Sequence, residues 1–193
     1  MKLFGLFISL FLFTGQTFAD NIDPSKSEVN WYGSKIVGKS HNGTIKIKSG
    51  KLTWGKSNFE KGEVVIDMKT IVNLDLASET FNKKLVNHLS SDDFFDVKKF
   101  PEATFKSTKV THVKDDLYSV RGDMTIKGKT NTINFLAKMK KTGSVITGRG
   151  EIKFNRADFD VRYGSDRFFD NLGDKVISDE IKLNFILVSE SKK

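Results

Sequence analysis

The sequence of 193 residues contains no cysteine and only 2 prolines. Without thiols the chain can form no disulfide, thiolate metal site or iron–sulfur cluster, and it has no cysteine nucleophile. The scarcity of proline excludes a proline-rich linker protein. Neither absence indicates disorder, because 38% of the residues are hydrophobic. The length and composition therefore predict one globular domain.

Histidine is also rare, and its three copies lie far apart at His41, His88 and His112. Metal ligands usually occur at close spacing, so the sequence predicts no metal site. His88 and His112 are interpreted as solvated side chains. His41 lies just before a predicted strand. There it could hydrogen-bond a turn, contact a ligand head group at a cavity mouth, bind a metal ion or take part in catalysis.

The longest apolar run stands at the N-terminus. Residues 3–13 form an apolar run with one serine and follow a single lysine, and Thr17 and Ala19 supply small residues at the two positions that a signal peptidase reads. This pattern predicts a secretory signal peptide over residues 1–19, cleaved after Ala19, and a mature domain over residues 20–193. An N-terminal membrane anchor is the alternative. An exported protein without cysteine is more typical of the periplasm of a bacterial envelope than of a eukaryotic secretory route, where small domains often contain disulfides.

Strict alternation of apolar and polar residues predicts strands through most of the remaining chain. In residues 44–48, for example, isoleucine alternates with lysine. Glycines interrupt the pattern about every ten residues, which favours a sandwich or a barrel of short strands. The predicted strands are 44–48, 63–69, the two arms of a hairpin over 123–140, 151–154, 159–163 and 181–188.

One segment has a different period. Phe81, Leu85 and Leu89 lie four residues apart, which predicts a short helix over residues 78–89. Ser78 or Thr80 could cap the start of this helix.

The motifs of nucleotide and calcium sites are incomplete. Residues 122–130 superficially resemble a phosphate-binding loop, but five residues rather than four separate the glycines, and strands flank the segment on both sides. Asp92, Asp93 and Asp96 lack the spacing of a calcium loop. The net charge of +8 comes largely from lysines on exposed strand faces. Export makes nucleic acid a poor partner, whereas transient contact with an anionic membrane surface stays open.

Several motifs occur together in the order and spacing of a known family. They are SHNG at 40–43, DFFD at 93–96, FPEATFKS at 100–107, GDMTIKGKT at 122–130 and RADFDVRY at 156–163. In these motifs the sequence resembles the YceI family of exported bacterial proteins. It departs from the family pattern at Met124, where leucine is usual, and at Asp160, where glycine is common.

The resemblance implies an all-β fold: a single antiparallel, lipocalin-like β-barrel with an internal apolar channel, to which the short helix is an insert. It also implies a protein that binds an isoprenoid lipid, such as a quinone or a polyprenyl pyrophosphate, often as a homodimer. Such a carrier is not an enzyme and needs no cofactor besides its lipid.

The apolar strand stripes supply candidate channel residues. An isoprenoid tail gains about 0.8 kcal/mol for each CH₂ moved out of water, so it requires only a dry channel and a mouth. The candidates are Trp31, Ile45, Ile47, Ile66, Phe105, Met124, Ile126, Phe135, Phe154, Phe159 and Phe185, with His41 at the head-group mouth.

The sequence leaves three alternatives to a lipid carrier open. The barrel could be a hydrolase or isomerase that uses His41 with an aspartate as an acid–base pair. It could be a structural envelope protein whose interior is filled by side chains. It could also be an outer-membrane barrel, with its apolar stripe facing lipid and its lysines facing the lumen. Near the last motif, Arg156 and Asp158 are expected to pair across a turn.

Overall fold

The strands pair into one antiparallel sheet. The computed structural model describes residues 18–190, and the signal-peptide prediction therefore lies almost entirely outside the described residues. Only residues 18 and 19 of that segment are described, at the start of the first strand. The elements are β1 (Phe18–Asn21), β2 (Glu28–Ser34), β3 (Ser40–Trp54), β4 (Phe59–Asn73), α1 (Glu79–Ser90), β5 (Glu102–Lys114), β6 (Leu117–Ile126), β7 (Lys129–Thr142), β8 (Val145–Asn155) and β9 (Glu180–Glu190), with short 3-10 helices at Arg156–Phe159 and Gly173–Lys175.

The sheet closes on itself. Its neighbour order is β3-β2-β9-β8-β7-β6-β5-β4, and β4 pairs again with β3, so that eight strands form a ring. Strand β1 pairs with the last residues of β3, beyond the stretch that pairs with β2. The predicted antiparallel, lipocalin-like β-barrel is thus confirmed.

The alternation in the sequence decides which face of the barrel is apolar. In β3, Ile45 and Ile47 are 7% and 3% exposed, while Lys46 and Lys48 between and beside them are exposed. Apolar side chains therefore point inward and lysines point outward. An outer-membrane barrel needs the opposite orientation, so that alternative is wrong.

The predicted helix is confirmed, with an offset of one residue. Ser78 occupies the N-cap position, but its side chain makes no capping hydrogen bond. Of the predicted apolar face, Leu85 is partly buried and Leu89 is buried, while Phe81 is 63% exposed. The apolar contact of α1 with the barrel therefore comes from its second half, while in its first half Asn82 Nδ2 donates to the carbonyl oxygen of Asn73 in β4. Within residues 18–190 no helix is long and apolar enough to cross a membrane.

The strand predicted over residues 159–163 is wrong. Strand β8 ends at Asn155, and the chain then forms the 3-10 helix Arg156–Phe159. Asp160 follows with a φ of 62°, in the left-handed region, and its N–H donates to the carbonyl of Ala157. Extended backbone cannot continue through this conformation, which aspartate tolerates better than most residues.

The antiparallel topology gives the barrel two different ends. At the closed end the hairpins β3–β4, β5–β6 and β7–β8 turn, and the rings of Trp54, Phe59 and Tyr118 pack together with centroids 5.9–6.3 Å apart. At the open end lie the β2–β3 hairpin, α1 and the long connection between β8 and β9. The connection covers residues 156–179.

A close contact between Gly43, Val72 and Trp31 shapes the barrel wall near the open end. A Cβ atom at Gly43 would clash with the Val72 carbonyl oxygen and would stand 2.8 Å from the Trp31 ring. Trp31 Nε1 donates a hydrogen bond to that same carbonyl, at 3.1 Å. The missing side chain at Gly43 therefore lets the Trp31 ring lie flat against the wall, and the hydrogen bond holds it there.

Candidate functional site

The barrel encloses a cavity of about 800 Å³. It extends from Leu52 and Phe59 near the closed end to Val37 and Tyr163 at the open end. Leu52 and Phe59 are buried, whereas Val37 and Tyr163 are exposed, so the cavity opens at one end. Its volume lies within the range of small-molecule sites. The interior is therefore not filled by side chains, in contrast to the structural-protein alternative.

Most of the candidate channel residues reach the cavity. The structure places nine of the eleven on its wall, and these are Trp31, Ile45, Ile66, Phe105, Met124, Ile126, Phe135, Phe154 and Phe185. His41 also lies on the wall, near the open end. That these side chains bind a lipid stays a prediction.

Two candidates are buried elsewhere. Ile47 is 3% exposed, but it lies at an irregularity in the pairing of β3 with β4 and is not part of the cavity wall. Phe159 belongs to the 3-10 helix after β8, and its ring packs edge-on against Phe154 with the centroids 5.5 Å apart. Phe159 therefore supports the wall from outside.

The irregular segments at the open end supply wall residues that strand periodicity does not reveal. They come from the β2–β3 hairpin, from α1 with the loop after it, and from the connection, and include Lys35, Val37, Lys39, Leu85, His88, Phe94, Tyr163 and Ile177. Of these, only Leu85 carries a sequence signal, the helical spacing of α1. The loop residues follow no period that would give their direction.

The sequence predicts that His88 is solvated, but in the structure its ring packs against aromatic side chains. Its ring meets the Tyr163 ring edge-on at 4.4 Å and the Phe94 ring at 5.3 Å, measured between centroids. It therefore joins α1 to the connection across the open end. His112 lies at the closed end, where Nε2 is 2.8 Å from the carbonyl oxygen of Asp115.

His41 is held by a carboxylate. Its Nδ1 lies 2.8 Å from Oδ2 of Asp75, and Oδ1 of Asp75 accepts a hydrogen bond from the backbone N–H of Asn42 at 2.9 Å. Partial burial acts to raise the pKa of Asp75, but the hydrogen bonds from Asn42, His41 and Asn73 outweigh it and lower the pKa. Because Asp75 is then a carboxylate, His41 Nδ1 carries a proton and donates to it. Within residues 18–190, Nε2 of the ring has no hydrogen-bond partner.

Arg156 fixes the connection from inside the protein. Its side chain is fully buried, and its guanidinium donates to the carbonyl oxygens of Val161, Ile177 and Ser178 at 2.7–3.0 Å. Its Nη2 lies 3.1 Å from Oδ1 of Asp179. Burial lowers the pKa of Arg156 and Asp179 opposes this, but arginine stays charged in proteins. These donors are directed at oxygens of the connection, so Arg156 holds that segment in place, and its side chain also forms part of the cavity wall.

The expected pairing of Arg156 with Asp158 is wrong. Asp158 pairs instead with Arg167, whose Nη1 lies 2.6 Å from Oδ1. The 3-10 helix turns the neighbouring side chains in different directions, so that Arg156 points inward and Asp158 outward. Within residues 18–190 no three histidine, aspartate or glutamate side chains gather where they could hold a metal ion.

Comparison with known families gives one match across most of the chain. The model of the YceI-like domain matches residues 21–188. A UPF0312 protein of Pseudomonas putida is 33% identical over 127 residues, which are 66% of this chain and 64% of that protein. The aligned part of the chain thus spans less than two thirds of that relative.

Two solved structures share the barrel. BcnA of Burkholderia cenocepacia has a TM-score of 0.69 at 25% identity, over 86% of this chain and 98% of BcnA. A polyisoprenoid-binding domain from Saccharophagus degradans, implicated in plant cell wall breakdown, has a TM-score of 0.64 at 18% identity, over 89% of this chain and 98% of that domain. At 18% identity the second likeness concerns the fold alone.

Proposed function

Because the chain belongs to the YceI-like family, we propose that it is a carrier that holds the tail of an isoprenoid lipid inside its barrel and exposes the head group at the open end. The observation that carries the proposal is the apolar cavity of about 800 Å³, open at one end. The polyisoprenoid-binding domain of similar fold supports the choice of ligand. A quinone and a polyprenyl pyrophosphate both have the required tail.

The transfer of the isoprenoid tail from water into the apolar cavity supplies the free energy of binding. At about 0.8 kcal/mol per carbon, one isoprene unit of five carbons gains roughly 4 kcal/mol when it is fully buried. Part of this gain is offset by the ordering of the tail and by the loss of its free motion. The barrel needs no reactive group for this task, since a dry wall is sufficient.

The proposal is tested by what the protein carries when it is purified. The full chain is expressed in a bacterium, isolated without detergent, and extracted with organic solvent for mass spectrometry. We expect an isoprenoid lipid in near-stoichiometric amount. Recovery of no lipid, together with no uptake of added isoprenoids by the extracted protein, would contradict the proposal.

We also propose that the protein acts in the periplasm after removal of residues 1–19. The sequence pattern at Thr17 and Ala19 supports this step. Cell fractionation and N-terminal sequencing of the same preparation test it. The expected first residue is Asp20, and an intact N-terminus in the cytosol would contradict export.

His41 is proposed to contact the head group through its Nε2 edge. Replacing it by alanine should weaken the binding of an isoprenoid alcohol or phosphate by up to about tenfold, the value of one hydrogen bond. A hydrocarbon isoprenoid without a head group should bind as before. Titration followed by tryptophan fluorescence measures both affinities, since Trp31 lies on the cavity wall and its surroundings change when a ligand binds. His112→Ala, at the closed end, is the matched control, and an equal loss for both ligands in His41→Ala would contradict a head-group role.

The pairing of His41 with Asp75 also favours one second candidate, the hydrolase or isomerase. A histidine oriented by a carboxylate is a common general base. The two functions differ in what happens to the ligand. If the wild-type protein returns bound isoprenoid unchanged after long incubation, it is a carrier. If the ligand is converted and His41→Ala stops the conversion without reducing binding, it is an enzyme.

A further inference from the structure

Exposed apolar side chains concentrate at the open end. Ile36 and Val37 form the tip of the β2–β3 hairpin, and each is 62% exposed. Tyr163, Phe168 and Phe169 in the connection are 44%, 37% and 48% exposed. We call these five residues the apolar rim. Single exposed apolar residues are ordinary, but a group of them around one opening marks an interaction surface.

The two parts of the rim form one surface. The backbone N–H of Ile36 donates to the carbonyl oxygen of Val176, at 3.1 Å. The neighbouring Lys35 forms a β-bridge with Ile177, whose N–H donates to the carbonyl oxygen of Gly164 at 2.7 Å. The hairpin tip is thus hydrogen-bonded to the segment that carries the aromatic residues.

The closed end serves as an internal comparison. Its hairpin tips are polar: residues 55–58 read GKSN, residues 115–116 are two aspartates, and residues 143–144 are glycine and serine. Val113 is the large apolar side chain that is most exposed near these turns, at 51%. The apolar surface is therefore a property of the end at which the cavity opens.

Basic side chains stand among the rim residues. Lys35 and Lys39 are exposed on either side of the hairpin tip, and residues 35–39 contain no acidic residue. In the connection, the guanidinium groups of Arg162 and Arg167 lie 5.0 and 5.9 Å from the centre of the Phe168 ring. The connection is net acidic, with six aspartates against three arginines and one lysine, so the positive charge of the rim lies on the hairpin tip. Apolar tips flanked by lysines suit the boundary between lipid tails and phosphates.

We propose that the open end docks on an anionic phospholipid bilayer, with Ile36 and Val37 inserted at head-group depth and Lys35 and Lys39 on lipid phosphates. Val37 and Tyr163 belong both to the rim and to the cavity wall, so the cavity opens onto the docked membrane. The purpose of docking rests on the proposed function. An isoprenoid tail then enters the barrel without exposing its apolar surface to water.

Vesicle flotation tests the docking. The vesicles contain phosphatidylethanolamine and phosphatidylglycerol but no isoprenoid. The variant is Ile36→Ser/Phe169→Ser, since both side chains are exposed and neither lies on the cavity wall. The matched control is Val113→Ser/Leu136→Ser, whose side chains are 51% and 54% exposed away from the open end.

We expect the wild-type protein and the control to float with the vesicles, and the rim variant to partition at least about tenfold less. Binding should also weaken as salt is added or as phosphatidylglycerol is replaced by phosphatidylcholine. No flotation of the wild-type protein, or an equal loss in the control, overturns the proposal.

Two further measurements distinguish membrane docking from isoprenoid binding and from dimer formation. The rim variant should bind a short, soluble isoprenoid like the wild-type protein. If the wild-type protein floats but binds no isoprenoid, docking stands and the carrier function fails; the reverse result overturns docking alone. If sedimentation shows that the rim variant dissociates a wild-type dimer while vesicle binding is unchanged, the rim is a dimer interface and the proposal is wrong.

Discussion

Urea unfolding of the Arg156→Met variant is expected to give a free energy of unfolding about 3–5 kcal/mol below that of the wild-type protein. Methionine fills most of the space but removes the hydrogen bonds to the carbonyl oxygens of Val161, Ile177 and Ser178. It also leaves the carboxylate of Asp179 without its cation. Buried polar groups that lose their partners cost more than the bonds themselves contribute.

The matched control for this prediction is Arg167→Met. Arg167 also pairs with an aspartate, Asp158 at 2.6 Å, but both side chains are about half exposed. Exposed pairs contribute at most about 1 kcal/mol, so this variant should unfold nearly like the wild-type protein. The double variant Arg156→Met/Asp179→Asn should recover part of the loss by removing the unpaired charge. Similar losses in the two arginine variants would show that burial of Arg156 does not determine its contribution.

Two alanine-to-phenylalanine variants should change isoprenoid binding in different ways. Ala103 and Ala137 both lie on the cavity wall. Ala103 is next to the first residue of β5, near the open end, whereas Ala137 pairs with Tyr118 towards the closed end. A phenyl group at either position fills existing space, so the fold should tolerate it.

Ala137→Phe fills the part of the cavity near the closed end, so the cavity should accept only shorter isoprenoid tails. Each excluded isoprene unit costs roughly 4 kcal/mol, or about three orders of magnitude in affinity for long isoprenoids. Short isoprenoids should bind as before. Ala103→Phe obstructs the entrance and should weaken the binding of long and short isoprenoids alike. Titrations with isoprenoid alcohols of increasing length measure this, and unchanged length dependence in both variants would contradict binding along the barrel.

The sequence predicts the faces of the strands well because side-chain direction alternates with period two. Ile45 and Lys46 point to opposite sides of β3 as expected. Alternation does not report distance from the barrel axis, however. Ile45 and Ile47 therefore look equivalent in the sequence, although Ile45 lines the cavity and Ile47 does not. The difference between wall and core depends on how the strands close.

The structure of the open end is harder to predict from the sequence than the strands, because contacts between residues far apart in the chain determine it. Residues 159–163 alternate like a strand, but the buried Arg156 binds Val161 and Asp179 and holds the segment in a tight turn. His41 and Asp75 are 34 residues apart, and no local pattern links them. The resemblance to a family supplied the barrel and its channel, while the placement of this pair needed the structure.

The closure of the strand ring has a consequence for how copies of the protein can associate. A strand at the edge of a sheet offers unpaired backbone groups, which recruit strands from other chains and promote aggregation. In residues 18–190 the ring returns from β4 to β3, and the strand outside it, β1, has only four residues. The edges that remain lie where neighbouring strands diverge, as at residues 107–114 of β5 beyond its pairing with β4 and at residues 129–136 of β7 beyond its pairing with β8. Within residues 18–190, backbone pairing between copies of this chain is therefore confined to such edges, and association elsewhere on the ring has to form through side chains.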